Sequence, residues 1–347
     1  MRNLYDSYDA FAETAQIPSD LRYGDPAAVP EPAVTVIMPV YHRPERFEEA
    51  LRSVVGQDFD RPFEVVVVDN HEADPSPNLE VVRRVAAPNV LYYHNRENLG
   101  MYGNWNRGIV LARAPFVTYC HDDDRLTPGA LRRLMALQPL CGDACILSVF
   151  NMIDEEGRFR KTMALRRSFL LWKPRSFYRY SLLGQVLGNV TCGDGSLYRR
   201  ERLLEIGGFD KSFYPAADYA LNLCYARRYG AVVNNIPTSD YRIGENESLQ
   251  VFRAFPEAER SIHGQMGLEE RLPKCFARRL VEAHYNSAVY GAEQTWGGKD
   301  GPQGGASAQL SWRDRMLLWL VRSWDRLHKY CFCWKKDPSA PSAQSRK

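Results

Sequence analysis

Apolar runs and polar breaks alternate regularly along the first half of the chain. Val34-Thr-Val-Ile-Met-Pro-Val40 and Phe63-Glu-Val-Val-Val-Val68 are almost unbroken apolar runs, the pattern of strands covered on both faces. Val90-Leu-Tyr-Tyr93 and Phe116-Val-Thr-Tyr-Cys120 are shorter runs of the same kind, too short for helices and bounded by turn residues. Between them the spacing changes. Pro44-Glu45 opens a segment whose apolar Phe47, Ala50, Leu51, Val54 and Val55 fall on one side of a helix. Helices are also expected over 79–85 and about 102–112. Strand and helix in repeated alternation predict an α/β domain with a mostly parallel central sheet flanked by helices.

The second half is less periodic. A strand is expected over 144–151, then a turn at Asp154-Glu-Glu-Gly157 and a returning strand at 159–163. Gly193-Asp-Gly195 reads as a loop feeding a short strand at 196–198, followed by a helix over 199–206 closed by Gly207-Gly208. A helix over 216–229 ends at Gly230, which serves as its C-cap, and a short strand follows at 231–236. Residues 255–295 read as helices. Residues 1–32 read as an N-terminal arm, 33–250 as the main domain, 251–296 as a helical extension, 297–309 as a Gly-rich linker, 310–334 as an amphipathic helix and 335–347 as a disordered tail. The main domain divides at about residue 125 into a first and a second half.

The candidate chemistry sits where one of these strands ends. Phe116–Cys120 runs into Asp122, Asp123 and Asp124, and Thr127-Pro128 opens a helical pattern beyond them. Ligands of open α/β sheets bind outside the carboxyl ends of the strands. Three neighbouring acids repel one another unless a cation or protons relieve them. Oxygen ligands suit Mg²⁺ or Mn²⁺, which also take phosphate oxygens. The competing reading is an acidic turn that caps the helix near Thr127.

Composition narrows the classes without choosing among them. The 347 residues carry a net charge of +3, too little to argue for nucleic acid. No GxGxxG follows an early strand, which argues against a dinucleotide-binding oxidoreductase. Eight cysteines lie scattered with no CxxC pair, as expected of reduced thiols in a cytoplasmic protein. The N-terminus has no apolar core of the signal-peptide kind, and no apolar run approaches the ~18 residues of a spanning helix.

Five motifs, in order, resemble those of inverting family 2 glycosyltransferases of GT-A fold. They are Pro39-Val40-Tyr41-His42-Arg43, Val68-Asp69-Asn70-His71, Asn98-Leu99-Gly100 with the distal Asn106, His121-Asp122-Asp123-Asp124, and Gly207-Gly208-Phe209-Asp210 with Asp218. The resemblance spans about 34–236. It implies transfer of a sugar from a nucleotide diphospho-sugar, a UDP- or dTDP-sugar, to a glycan or lipid-linked hydroxyl in cell-surface polysaccharide biosynthesis. It further implies a donor half over 33–125 and an acceptor half over 126–250.

The same resemblance assigns roles. Asp123 becomes the metal ligand, with Asp122 beside it on the ribose or a metal-bound water. Asp69 accepts the N3 hydrogen of a uracil or thymine, or else stabilises a turn. Pro39, Val40 and Tyr41 border the base, or are plain core. Asn98 and Gly100 make a tight turn at the donor. Asp218 is the base that deprotonates the acceptor, a role compatible with capping its helix. Asp194 touches sugar or acceptor, or holds a turn. Arg242, ahead of Glu245–Ser248, pairs with phosphate in a closing segment, or makes a surface salt bridge. Three positions depart from the family pattern: His121 replaces an Asp, Trp105 an Arg, and Ala217 a Glu beside Asp218. A non-catalytic subunit that binds nucleotide or a partner protein is the rival reading.

The C-terminal helix has a pattern of its own. Trp312, Met316, Trp319, Leu320, Leu327, Tyr330 and Trp334 share one face, and Arg315, Arg322, Arg326 and Lys329 the other. Such a helix either lies on the inner face of the cell membrane as a peripheral contact or packs on its own domain or a partner chain.

Overall fold

The run Val34–Val40 is buried at every position because the strand it forms is covered on both faces. The computed structural model describes residues 2–164, 176–186, 192–244, 251, 254–270, 272–296 and 311–331. In it this strand, β2, is preceded by β1 (Ser19–Tyr23) and lies in parallel between β3 (Phe63–Asp69) and β5 (Phe116–Tyr119). β4 (Val90–Asn95) continues the parallel set beside β3. Val34, Val36, Met38 and Val40 pack with α1 (Pro44–Val55) and α2 (Pro77–Val85), whereas Ile37 packs on the other face with α3 (Gly100–Leu111). That is the period-two division expected of a central strand.

Past β5 the sheet turns antiparallel. The order is β1-β4-β3-β2-β5-β10-β7-β11-β6, counting β6 (Arg125–Leu126), β7 (Cys145–Ile153), β10 (Cys192–Arg199) and β11 (Ala231–Arg242). β10 is antiparallel to both β5 and β7, while β11 is parallel to β7. β8 (Phe159–Thr162) forms the expected hairpin with β7, and β9 (Phe177–Arg179) pairs with β11. α4 (Ala130–Cys141) joins the layer of α1 and α2. The opposite layer holds α3, α5 (Leu182–Val186), α6 (Arg200–Ile206), α7 (Ala217–Tyr229), α8 (Phe255–Gln265), α9 (Lys274–Trp296) and α10 (Trp312–Cys331).

Several expectations shift. The N-terminal segment is no loose arm: β1 pairs with β4. The buried Arg107 ties the segment down by donating to the carbonyls of Thr14 and Ile17 and to the Ser19 hydroxyl. The helix after the acids starts at Ala130 and not near Thr127, because Gly129 adopts a left-handed φ of 74° just before it. β10 takes in Gly193–Gly195 through a register shift. The expected strand at 231–236 runs on to Arg242. The linker at 297–309, the tail at 335–347 and Glu245–Ser248 lie outside the described residues.

The layers meet closely where α3 crosses β2. A Cβ on Gly108 would lie 2.2 Å from Ile37 Cγ2. Gly108→Ala is therefore expected to destabilise the fold by about 1–2 kcal/mol, overpacking outweighing the gain in helix propensity. Denaturant unfolding followed by circular dichroism reads this directly.

Candidate active site

The parallel strands end together and so bring distant motifs to one edge. Pro39 is tolerated in β2 because the pairing with β5 stops at Ile37, leaving no bond on that side for the missing amide hydrogen. One residue past β2, the Tyr41 amide donates to Asp122 Oδ2 at 2.9 Å. Arg43, at the mouth of α1, places Nη1 2.5 Å from Asp123 Oδ2 and 3.8 Å from Asp122 Oδ1. Burial, and then the charge of Asp123, push the Asp122 carboxyl up to about 7. The two neighbouring acids thus disfavour each other's ionised form, with Arg43 and His121 only partly offsetting this at Asp122.

Behind this pair lies a second, closed cluster. His121 Nδ1 stands 2.9 Å from Asp194 Oδ2, and the His121 amide donates to Asp194 Oδ1 at 3.0 Å. Burial alone would lower the imidazole pKa. The charge and hydrogen bond of Asp194, helped by Asp123 and Asp122, instead raise it to about 9. Asp194 is ionised: its burial is outweighed by the imidazolium and by a hydrogen bond from Asp124. Asp124 is driven well up by burial and then by Asp194. The three have ligand atoms within 4.8 Å of one another, yet their charges already balance internally. Of the neighbouring acids, Asp122 is buried and Asp123 partly exposed, and Arg43 reaches both.

His121→Asn leaves the Asp194 carboxylate buried without its cation. The expected cost is about 3 kcal/mol of stability, measured by denaturant unfolding at neutral pH.

Asp218 opens α7 in a first turn where no side chain caps the helix. Its pKa is raised by burial and held partly in check by backbone hydrogen bonds and by the charge of His121. His121 thus interacts electrostatically with Asp122, Asp123, Asp194 and Asp218. The approach to Asp218 is fixed from behind. The buried Asn106 donates to Phe209 O at 2.9 Å and accepts from Phe209 N at 2.8 Å. Trp105 lays its ring 4.6 Å from that of His121. Trp105 therefore occupies the position of the missing arginine as an aromatic wall.

Other expected residues sit differently. Asp69 is fully buried. Oδ1 accepts from the His71 amide, and Oδ2 from Ser76, Asn78 and Tyr92. Its carboxylate therefore holds the loop after β3, as the turn reading expects. Arg242 is held within the fold. Its amide donates to Asp124 Oδ1, and its guanidinium to Glu49 and to the carbonyls of Asp123, Asp154 and Glu155. At 5% exposure it braces the acid loop from within. Val40 is buried core, whereas Tyr41 is 42% exposed. Asn98 Oδ1 accepts from the Gly100 amide at 2.8 Å, and Gly100 takes the φ of 71° that the turn requires.

Sequence reading missed an exposed rim beside Tyr41. The His42 ring lies 4.0 Å from Tyr41 and 4.4 Å from His71. Glu72 accepts from Tyr41 OH at 2.7 Å and pairs with His42 Nε2 at 2.6 Å. These bonds, the one with His42 first, hold its carboxyl at about 2. The signal was present in His42 and His71, both at positions where the family motifs carry other residues.

Comparison with known proteins agrees with this geometry. Residues 35–207 match the model described as Glycosyl transferase family 2. The GalNAc(5)-diNAcBac-PP-undecaprenol beta-1,3-glucosyltransferase of Campylobacter jejuni is 33% identical over 53% of this chain and 62% of its own. The uncharacterized protein MT1568 of Mycobacterium tuberculosis is 33% identical over 54% and 60%. The match thus spans less than two thirds of either relative. Among solved structures, Staphylococcus aureus TarS (residues 1–349) superposes with a TM-score of 0.53 at 19% identity, covering 86% of this chain and 81% of that one. The mannosyltransferase PcManGT of Pyrobaculum calidifontis, in complex with GDP-Man and Mn²⁺, gives 0.51 at 17% identity over 92% and 89%. At such identities the likeness speaks for the fold. With its parallel half-sheet, its acids at the carboxyl edge and this family match, the chain belongs to glycosyl transferase family 2 and has the GT-A fold.

Proposed function

We propose that the chain transfers a sugar from a nucleotide diphospho-sugar, a UDP- or dTDP-sugar, to a hydroxyl of a glycan or lipid-linked acceptor, with inversion at the anomeric carbon, in cell-surface polysaccharide biosynthesis. The observation that carries this reading is the charge arrangement. Asp122 and Asp123 gather at the strand edge beside Arg43, and the charge of His121 acts on Asp122 and on Asp218 alike. The acceptor oxygen attacks the anomeric carbon as the bond to the diphosphate breaks. Asp218 takes the hydroxyl proton, and the nucleoside diphosphate leaves. General-base help of this kind is typically worth about 10² to 10⁴-fold.

The acid pair fits a divalent ion, Mg²⁺ or Mn²⁺, held by Asp123 with Asp122 alongside. When bound, the ion would neutralise charge on the departing diphosphate. Arg43, within reach of both acids, is placed to share that task. Tyr41 and His42 give the base a surface to lie against. The names of similar proteins support the substrate classes: the Campylobacter relative is named for an undecaprenol-linked acceptor, and TarS has been crystallised with UDP-GlcNAc.

The test is a donor screen. UDP-, dTDP- and GDP-sugars are offered with and without Mn²⁺, and nucleoside diphosphate release is measured with a panel of glycan and polyprenyl-linked acceptors. Metal-dependent release from a uridine or thymidine donor is expected, and release from GDP-sugars alone would overturn the donor assignment. Metal-dependent nucleotide binding without release from any donor favours the rival, a non-catalytic subunit, for which Ala217 beside Asp218 speaks.

A further inference from the structure

The last helix answers the two readings of its sequence on two different faces. α10 begins at a reciprocal cap, in which the Asp314 amide donates to Ser311 Oγ and that hydroxyl donates to Asp314 Oδ2. It docks on the domain through Leu318 and Val321, both buried, and through Asp314, which pairs with Arg279 of α9 at 2.5 Å. The opposite face is bare. Trp312, Met316, Trp319, Leu320 and Trp324 are 66%, 51%, 64%, 51% and 66% exposed. Twelve residues of rise make this a stripe roughly 18 Å long on one helix face. Large exposed apolar side chains in one contiguous row are rare on a soluble surface and mark a place of contact.

We propose that this stripe seats the protein on an anionic phospholipid surface, with α10 lying in the plane of the headgroups. Three observations select a bilayer over a protein partner. First, the rim is basic: Arg313 and Arg315 are exposed beside the stripe, and Arg322 follows on the flank of Arg315. The only acid between 311 and 324, Asp314, is turned inward and paired. Arginines flanking an apolar face meet lipid phosphates while the apolar side chains enter the acyl boundary. Second, three of the five stripe residues are tryptophans, side chains that favour the water–lipid boundary. Third, the stripe is not self-complementary, since a second copy would set arginine rim against arginine rim. Among the described residues no helix is long and apolar enough to cross a membrane, so the contact is one of lying on the surface.

The placement gives the seat a use. α10 packs against α5, and Tyr219, the neighbour of Asp218, donates to Gln185 O of α5 at 3.2 Å. The seated face therefore belongs to the same layer as Asp218, the side from which a lipid-carried acceptor is presented. The surface itself stands whichever sugar is moved.

Full-length protein is mixed with vesicles of phosphatidylcholine alone and with vesicles containing about a third phosphatidylglycerol, then sedimented, and its tryptophan emission is recorded. Co-sedimentation with the anionic vesicles and a blue-shifted emission are expected, both weakened at high salt. The triple variant Trp312→Ser, Trp319→Ser, Trp324→Ser is expected to bind these vesicles at least tenfold more weakly with nucleotide binding unchanged. Arg313→Glu with Arg315→Glu is expected to remove the preference for anionic lipid. Wild-type protein that stays in the supernatant overturns the proposal. So does a dimer in analytical ultracentrifugation that the triple variant abolishes while vesicle binding is absent, which assigns the stripe to a second copy.

Discussion

Asp218→Asn is expected to lower kcat for sugar transfer by about 10² to 10⁴-fold while nucleotide binding stays as it was. The expectation follows from where the side chain stands. It opens α7 among buried neighbours, the backbone hydrogen bonds it accepts there can equally be made to an asparagine oxygen, and burial raises its pKa from the ordinary carboxylate value. The amide keeps the shape and removes the proton acceptor. Because a buried ionised carboxyl is itself costly, the variant should unfold at nearly the same denaturant concentration as the parent. The raised pKa also sets a sign. Below it the wild-type carboxyl is protonated and cannot act as a base, so kcat/KM climbs with pH through a limb shifted upward from the ordinary Asp value. In the variant the residual rate should lack that limb. Turnover within a few-fold of wild type, with the limb intact, would mean that another group takes the proton.

The elements that sequence periodicity delivered are those whose burial is two-sided. β2, β3 and β5 are mostly apolar and buried along nearly their whole length, as such short runs between turn signals predict. The order of acids along the chain was readable for the same reason, since each follows a strand. Less readable was anything decided by which strands become neighbours. β1 is polar and half-exposed, with no periodicity to announce it, and exists because β4 offers an open edge. The His121–Asp194 pair joins residues 73 apart and depends on β10 lying antiparallel to β5. From the sequence, His121 reads as a departure from a motif. In the fold it is the cation that balances a buried carboxylate. At Asp69 the sequence left a base acceptor and a turn residue open, and Ser76, Asn78 and Tyr92 converge on it from two other elements. The surroundings of Arg242 were hidden for a related reason: β11 runs six residues past its apolar part and brings the guanidinium to the Asp123 carbonyl.

Asp123→Asn carries the other large effect, and it separates the cation-binding role from structural ones. The Asp123 carboxylate is the one Arg43 grips at 2.5 Å, and its charge is the largest cause after burial of the raised pKa of Asp122. Removing that charge lowers the repulsion within the pair, so the ligand-free variant should be as stable as wild type or slightly more so. What it should lose is the response to ligand. Wild type with Mn²⁺ and UDP is expected to melt higher, by the linkage that stabilises any state a ligand selects. The variant's melting temperature should barely move, and its transfer rate should fall by about 10³-fold or more, the scale of several kcal/mol of lost charge stabilisation. Thermal melts with and without Mn²⁺, each with UDP present, read the first effect, and initial rates read the second. If the variant keeps the metal-induced rise, the cation is not held at 123. The nearest alternative is then the closed set of His121, Asp124 and Asp194. Occupying it would require breaking the imidazolium–carboxylate pair of His121 and Asp194.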